Sequence, residues 1–118
     1  NLEKAALLLR LPGGHDRLRL AQLDLLDGPE KFLAAVEGCD AVFHTASPMS
    51  GDGYEGIVRP AVNGVNSVML ACAQTASVKT VVLTSSLAAI EPQPDPPVKS
   101  EAMWSDPEEQ KARENIIT

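Results

Sequence analysis

The chain has 118 residues, 44% of them hydrophobic, with 16 acidic against 10 basic side chains and a formal charge of −6. That length holds one domain or part of one, and no apolar run approaches the roughly 20 residues that cross a bilayer. Phosphate and anionic lipid surfaces demand clustered Lys and Arg, which this chain lacks, so small molecules or proteins are the expected partners and nucleic acid and membrane are not.

Leu2, Ala5, Ala6, Leu8 and Leu9 recur at helical spacing and stop before Pro12-Gly13-Gly14, a turn signal. Leu18 and Leu20 then alternate with Arg17 and Arg19 into Ala21-Gln22-Leu23, which predicts a strand running out at Asp24. Asp27 is placed to cap a helix, with Pro29 in its first turn and Glu30 three residues on. Phe32, Leu33 and Val36 form its apolar face, and Gly38 closes it. Ala41-Val42-Phe43-His44 reads as a second strand.

A Gly- and Ser-containing loop follows, and residues 57–75 then place Val58, Ala61, Val62, Val65, Val68, Met69 and Cys72 at three- and four-residue steps. This is an amphipathic helix, with Pro60 in its first turn or at a kink. Thr80-Val81-Val82-Leu83-Thr84 predicts a third strand, apolar on both faces as a buried parallel strand would be. Five of the nine prolines lie between Glu91 and Pro107, an irregular stretch, after which Asp106-Pro107-Glu108-Glu109 opens another helix. The chain starts at Asn1 without Met and stops within the helical run Glu114-Asn115-Ile116-Ile117-Thr118, which reads as a fragment. Strands separated by helices call for a doubly wound α/β fold with a parallel sheet.

In such sheets ligands bind beyond the carboxyl ends of the strands. The residues there are Asp24-Leu25, Thr45-Ala46-Ser47 and Ser85-Ser86, and the hydrophobic pattern puts all three sets on one edge. Small polar residues also end strands for no functional reason. Gly51-Asp52-Gly53-Tyr54-Glu55-Gly56 matches G-x-G-x-x-G literally. It lies several residues past the strand, carries two acids where pyrophosphate would sit, and has no acid between Glu55 and Glu91 to hold a ribose, so a flexible loop is the expectation. Ser86 lacks the G-x-S-x-G elbow of a hydrolase, and His44 is expected as a packed strand-end residue. Cys39 and Cys72 are too few for a disulfide scaffold and have no metal-ligand spacing with His15 or His44, so buried thiols in a cytoplasmic protein and no metal are expected.

Four segments, Asp24-Leu25-Leu26-Asp27, Glu37 to Pro48, Pro60-Ala61-Val62-Asn63-Gly64 and Val78 to Ser86, resemble in order and spacing the extended short-chain dehydrogenase/reductases, the NAD-dependent epimerase/dehydratase family. The branch they resemble is that of dihydroflavonol 4-reductase and cinnamoyl-CoA reductase. Phe43-His44-Thr45-Ala46-Ser47-Pro48, the later Thr84-Ser85-Ser86, and Trp104-Ser105-Asp106-Pro107 carry that branch assignment. The resemblance implies a Rossmann fold binding NADP, or NAD, and reduction of a carbonyl in a small-molecule aldehyde or ketone by a Ser, Tyr, Lys set.

Carried over by position, Ser86 is the serine that meets the substrate carbonyl, and Asp24 and Leu25 contact the adenine. Thr45, Ala46 and Ser47 run along the cofactor near its nicotinamide half, and Lys4 helps hold the 2′-phosphate. The only tyrosine, Tyr54, is followed four positions later by Val58, so the Tyr-x-x-x-Lys pair would fall beyond Thr118, and the glycine-rich loop before Asn1. The chain then corresponds to the middle of the cofactor domain, and by itself it is expected to be inactive and marginally stable.

Leu87-Ala88-Ala89-Ile90 is more like the cinnamoyl branch. Glu91 stands where dihydroflavonol reductases place a substrate-contacting Asn or Asp, and residues 115–118 lack the aromatics of cinnamoyl-CoA reductases. Other readings are a sugar-nucleotide epimerase or sterol dehydrogenase of the same family, or a non-catalytic or cofactor-binding protein.

Overall fold

The computed structural model describes residues 2–48, 51–91, 94 and 96–109, and the side chains of residues 5 and beyond within these ranges. The chain divides into two compact units, one up to Val82 and one from Leu83.

In the first unit, helix α1 (Leu2–Leu9) is followed by a single helical turn, α2 (Gly14–Arg17). Gly13 before it takes a φ of 78°, a left-handed conformation that suits glycine, as the Pro-Gly-Gly signal implied. The strand expected over residues 18–23 does not form. Leu18 is extended, but the segment has no neighbouring strand among the described residues, and backbone without a ladder partner stays solvated instead of pairing.

Helix α3 (Pro29–Val36) begins with Gly28, not Asp27, as its cap. The Asp27 carboxylate instead accepts from the Asp24 N–H and the Lys31 ammonium, and α3 has no side-chain cap. Gly38, at φ 73°, ends the helical segment as expected. Strand β1 (Ala41–His44) follows at the expected place.

After one wide turn over Tyr54–Val58, helix α4 (Arg59–Gln74) carries Pro60 in its first turn, where a missing N–H costs nothing. It returns the chain to strand β2 (Thr80–Leu83), which lies parallel to β1 in a two-stranded sheet. The backbone N–H of Lys79 donates to the Asp40 carbonyl (2.8 Å) just ahead of the paired strands.

The core lies between α3 and α4. Phe32 and Val36 share one face of α3, and Val68, Ala71 and Cys72 share one face of α4. Ala71 has no exposed surface, and its small side chain leaves room for the neighbouring helix to pack closely. Val42, Val78 and Val81 bring the sheet onto this layer.

The opposite face of the sheet is uncovered, a departure from the expected two-sided burial of the last strand. Phe43 is 71% exposed, Val82 44% and Leu83 49%. Alternation along each strand sends Phe43 and Val82 to the face opposite Val42 and Val81, where no described helix packs, whereas Leu83, at the end of β2, shares the face of Val81.

In the second unit a short turn over Leu87–Ile90 precedes the proline-containing chain. Its described residues are irregular but stitched: the Ser105 hydroxyl accepts from the Glu91 N–H (2.7 Å) and donates to the Ala88 carbonyl, while the Ser105 N–H reaches Ala89 (3.0 Å). Helical backbone resumes at Pro107, with the Asp106 carboxylate accepting from the Glu108 N–H (2.8 Å), the cap expected there. The run 114–118 lies outside the described residues. No described helix is long and apolar enough to cross a membrane.

Phe32→Ala is expected to lower unfolding free energy by about 3 kcal/mol through the cavity it leaves. Phe43→Ala should cost under about 0.5 kcal/mol. Urea unfolding of the two variants measures this, and equal losses would contradict the assignment of the core.

Candidate functional site

The residues expected beyond the first strand form a tight loop. Asp24 accepts through Oδ1 from the Leu26 N–H (2.9 Å), and Asp27 accepts through Oδ2 from the Asp24 N–H (2.8 Å). The Asp27 N–H closes back onto the Asp24 carbonyl (3.0 Å). Lys31, one turn into α3, pairs with Asp27 and, with the Asp24 N–H, holds its carboxyl below the usual carboxylate range. The same contact raises the Lys31 ammonium.

Helix α4 reaches this loop from beneath. The Asn63 side-chain amide donates to the Leu25 carbonyl (2.7 Å) and to the Asp27 carbonyl (3.3 Å). The Ser67 hydroxyl donates to the Asp27 carbonyl (2.9 Å). Between them, a Cβ on Gly64 would sit 2.4 Å from the Leu25 side chain, so the leucine rests on bare backbone. In the sequence Asn63 stands within a family-like segment with no role of its own, and Ser67 carries none. Their signal was available: two polar residues four apart interrupt the apolar stripe of a helix, a spacing that stacks them on one face.

Asp24, Leu25, Thr45 and Ala46 line one cleft of about 340 Å³, floored by Phe32 and Val68. Two loops far apart in sequence are thus brought together. Ser47, the third residue of its predicted set, is exposed and is not among the lining residues. His44 also lines the cleft. It is 5% exposed, as a packed strand-end histidine should be, and its Nε2 has no hydrogen-bond partner among the described residues. Lys4 lies on α1, but its side chain is outside the described residues.

Ser86 belongs to the second unit. There, with Ser85, Leu87, Lys99 and Trp104, it lines a hollow of about 450 Å³. Its Oγ accepts from the Ala88 N–H (3.2 Å), which occupies a lone pair and leaves the hydroxyl hydrogen for an acceptor in the hollow. Lys99 pairs with Glu91 (3.4 Å).

The G-x-G-x-x-G segment forms no phosphate cradle. Glu55 is paired with Arg59 (2.6 Å), and a Cβ on Gly51 would meet the Gly56 carbonyl at 2.8 Å, so these glycines serve a close backbone turn. Cys72 is buried, and burial, with Cys39 adding to it, pushes its thiol up and away from the reactive thiolate. Among the described residues no group of three or more His, Cys, Asp or Glu is arranged to hold a metal.

A family model described as NAD(P)H-binding matches residues 6–118, and the chain belongs to that family. Its fold is accordingly of the Rossmann type, in the extended short-chain dehydrogenase/reductase branch. Cinnamoyl-CoA reductase 1 of Arabidopsis thaliana is 50% identical over 102 residues, which cover 84% of this chain and 29% of the relative. Dihydroflavonol 4-reductase of Hordeum vulgare is 37% identical over 110 residues, 90% of this chain and 31% of the relative. Tetraketide alpha-pyrone reductase 1 of Arabidopsis thaliana is 42% identical over 93 residues, 76% of this chain and 28% of the relative. The chain spans about three-tenths of the length of these relatives.

The Asp27 carboxyl sits below its ordinary value of 3.8 in the folded chain, so its stabilising contribution is full above that value and is lost as pH falls through the depressed one. Asp27→Asn should therefore be less stable than the native chain at neutral pH and indistinguishable from it once both are fully protonated. Acid unfolding followed by circular dichroism checks this, and a constant difference down to the lowest pH would contradict it.

Proposed function

We propose that this chain is the central part, residues 1–118, of the cofactor domain of an NADP-dependent carbonyl reductase acting on a small-molecule aldehyde or ketone, of phenylpropanoid or flavonoid type, in the cytoplasm. The observation that carries the proposal is the convergence of Asp24, Leu25, Thr45 and Ala46 on one cleft. The residues of this cleft suit the adenine half of a dinucleotide. Leu25 and Val42 offer apolar faces to a flat ring, and the exposed Asp24 carboxylate keeps acceptor sites beyond the one used by Leu26. A volume of about 340 Å³ suits one half of the cofactor, not the whole. We assign Asp24 and Leu25 to the adenine, Thr45, Ala46 and Ser47 to the stretch toward the nicotinamide, and Lys4 to the 2′-phosphate that distinguishes NADP from NAD.

When bound, NADPH supplies the hydride. The task of this chain's own residues is to orient and to stabilise charge. Ser86, held by the Ala88 N–H, can donate its hydroxyl hydrogen to the substrate oxygen as negative charge develops there. The proton needs an acid of suitable pKa, and Tyr54, the single tyrosine of the sequence, is followed at the fourth position by Val58, so it has no lysine partner of the kind the family uses.

The 118-residue chain is expected to show no NADPH oxidation with any aldehyde or ketone, whereas the full-length protein that contains it should bind NADPH and oxidise it with one of them. In that protein Ser86→Ala should lower kcat about 100-fold with little change in the KM for NADPH. Turnover by the 118-residue chain, or a full-length protein that binds no dinucleotide, would refute the assignment.

A further inference from the structure

We propose that Asn63 and Ser67 are positioning residues that hold the Asp24–Asp27 loop at the register required by the adenine half of the cofactor. The inference rests on the reading of the cleft as the cofactor site. Both side chains spend their donors on backbone carbonyls, so they fix the path of the chain independently of which side chains the loop carries. An Asn amide has two N–H groups, and the Leu25 and Asp27 carbonyls occupy both. Ser67, 4% exposed, adds a second bond to Asp27 one helical turn further on.

The anchor is rigid because the same helix face continues into Val68, Ala71 and Cys72, the core itself. Leu25 is consequently held twice, by its carbonyl on Asn63 and by its side chain against Gly64, and it is a wall of the cleft. A binding wall has to stay within about 0.5 Å of its working position, and side chains locked on a packed helix supply that where a free loop does not. The bonds from Leu26 to Asp24 and between Asp24 and Asp27 are internal and would move with the loop, and the tie from Lys31 of α3 holds only the exposed Asp27 carboxylate, not the backbone of the loop.

The test uses the full-length protein and three probes: NADPH, 2′,5′-ADP for the adenine half, and reduced nicotinamide mononucleotide for the other half. Asn63→Ala should raise the dissociation constants of NADPH and 2′,5′-ADP together by about tenfold, the loss of one to two hydrogen bonds, and leave mononucleotide binding unchanged. Ser67→Ala, which removes only a hydroxyl and keeps the fold if Asn63→Ala does not, should weaken the same two probes by about threefold. Native protein that binds 2′,5′-ADP, with variants that bind it equally well, would overturn the inference, as would equal weakening of both halves. Native protein that binds none of the three probes would overturn the cofactor reading beneath it.

Discussion

Ala71 has no exposed surface in the core between α3 and α4, and the cleft of the first unit is built on that packing, with Phe32, Val36 and Val68 both in the core and along the cleft. Phe32 and Val36 of α3 pack with Val68, Ala71 and Cys72 of α4 in one cluster, and the paired helices become a platform. The sheet rests on one side of it through Val42, Val78 and Val81. The end of β1 and the loop before α3 therefore border one hollow, and Thr45 reaches the neighbourhood of Asp24 although 20 positions separate them. A bulkier residue at 71 would have to push the helices apart, and the cleft would open with them.

The same platform explains which surfaces stay apolar and exposed. A doubly wound sheet is buried on both faces, and its strands are written accordingly, with Val82 and Leu83 as apolar as Val81. Here α3 and α4 cover one face, and Phe43 and Val82 lie exposed on the other. The extended segment around Leu18 has no described neighbour to pair with. Under the proposed domain assignment these belong to the side of the sheet that the rest of the cofactor domain covers. Curated relatives more than three times as long as the matched region accord with that.

Local signals in the sequence were the ones that carried through. β1, the amphipathic α4 and the Asp106 cap each depend on residues within a few positions of one another, and each formed where expected. Asp27 did not cap α3, because the Asp24 N–H and the Lys31 ammonium compete for its carboxylate, a balance that no capping pattern records. The strand over residues 18–23 failed for want of a partner, since pairing is a property of two segments and the alternation of one cannot supply it. The rule that ligands sit beyond strand ends put forward Asp24, Leu25, Thr45, Ala46 and Ser47; the first four line one cleft, although the strand expected before Asp24 does not form, and Ser47 does not line it. Their separate roles came from family resemblance, which residue chemistry alone does not provide. Asn63 and Ser67 became meaningful only once Leu25 and Asp27, 36 to 40 positions away, were seen beneath their donors.

The central claim is that the cleft between the Asp24–Asp27 loop and the end of β1 takes the adenine of NADP. A crystal structure of the full-length protein with NADP bound tests it most directly. The account requires the adenine ring against Leu25, with Asp24 at its polar edge and Thr45 and Ala46 beside the chain leading to the nicotinamide. An adenine held elsewhere, with this cleft closed by protein side chains, would contradict it.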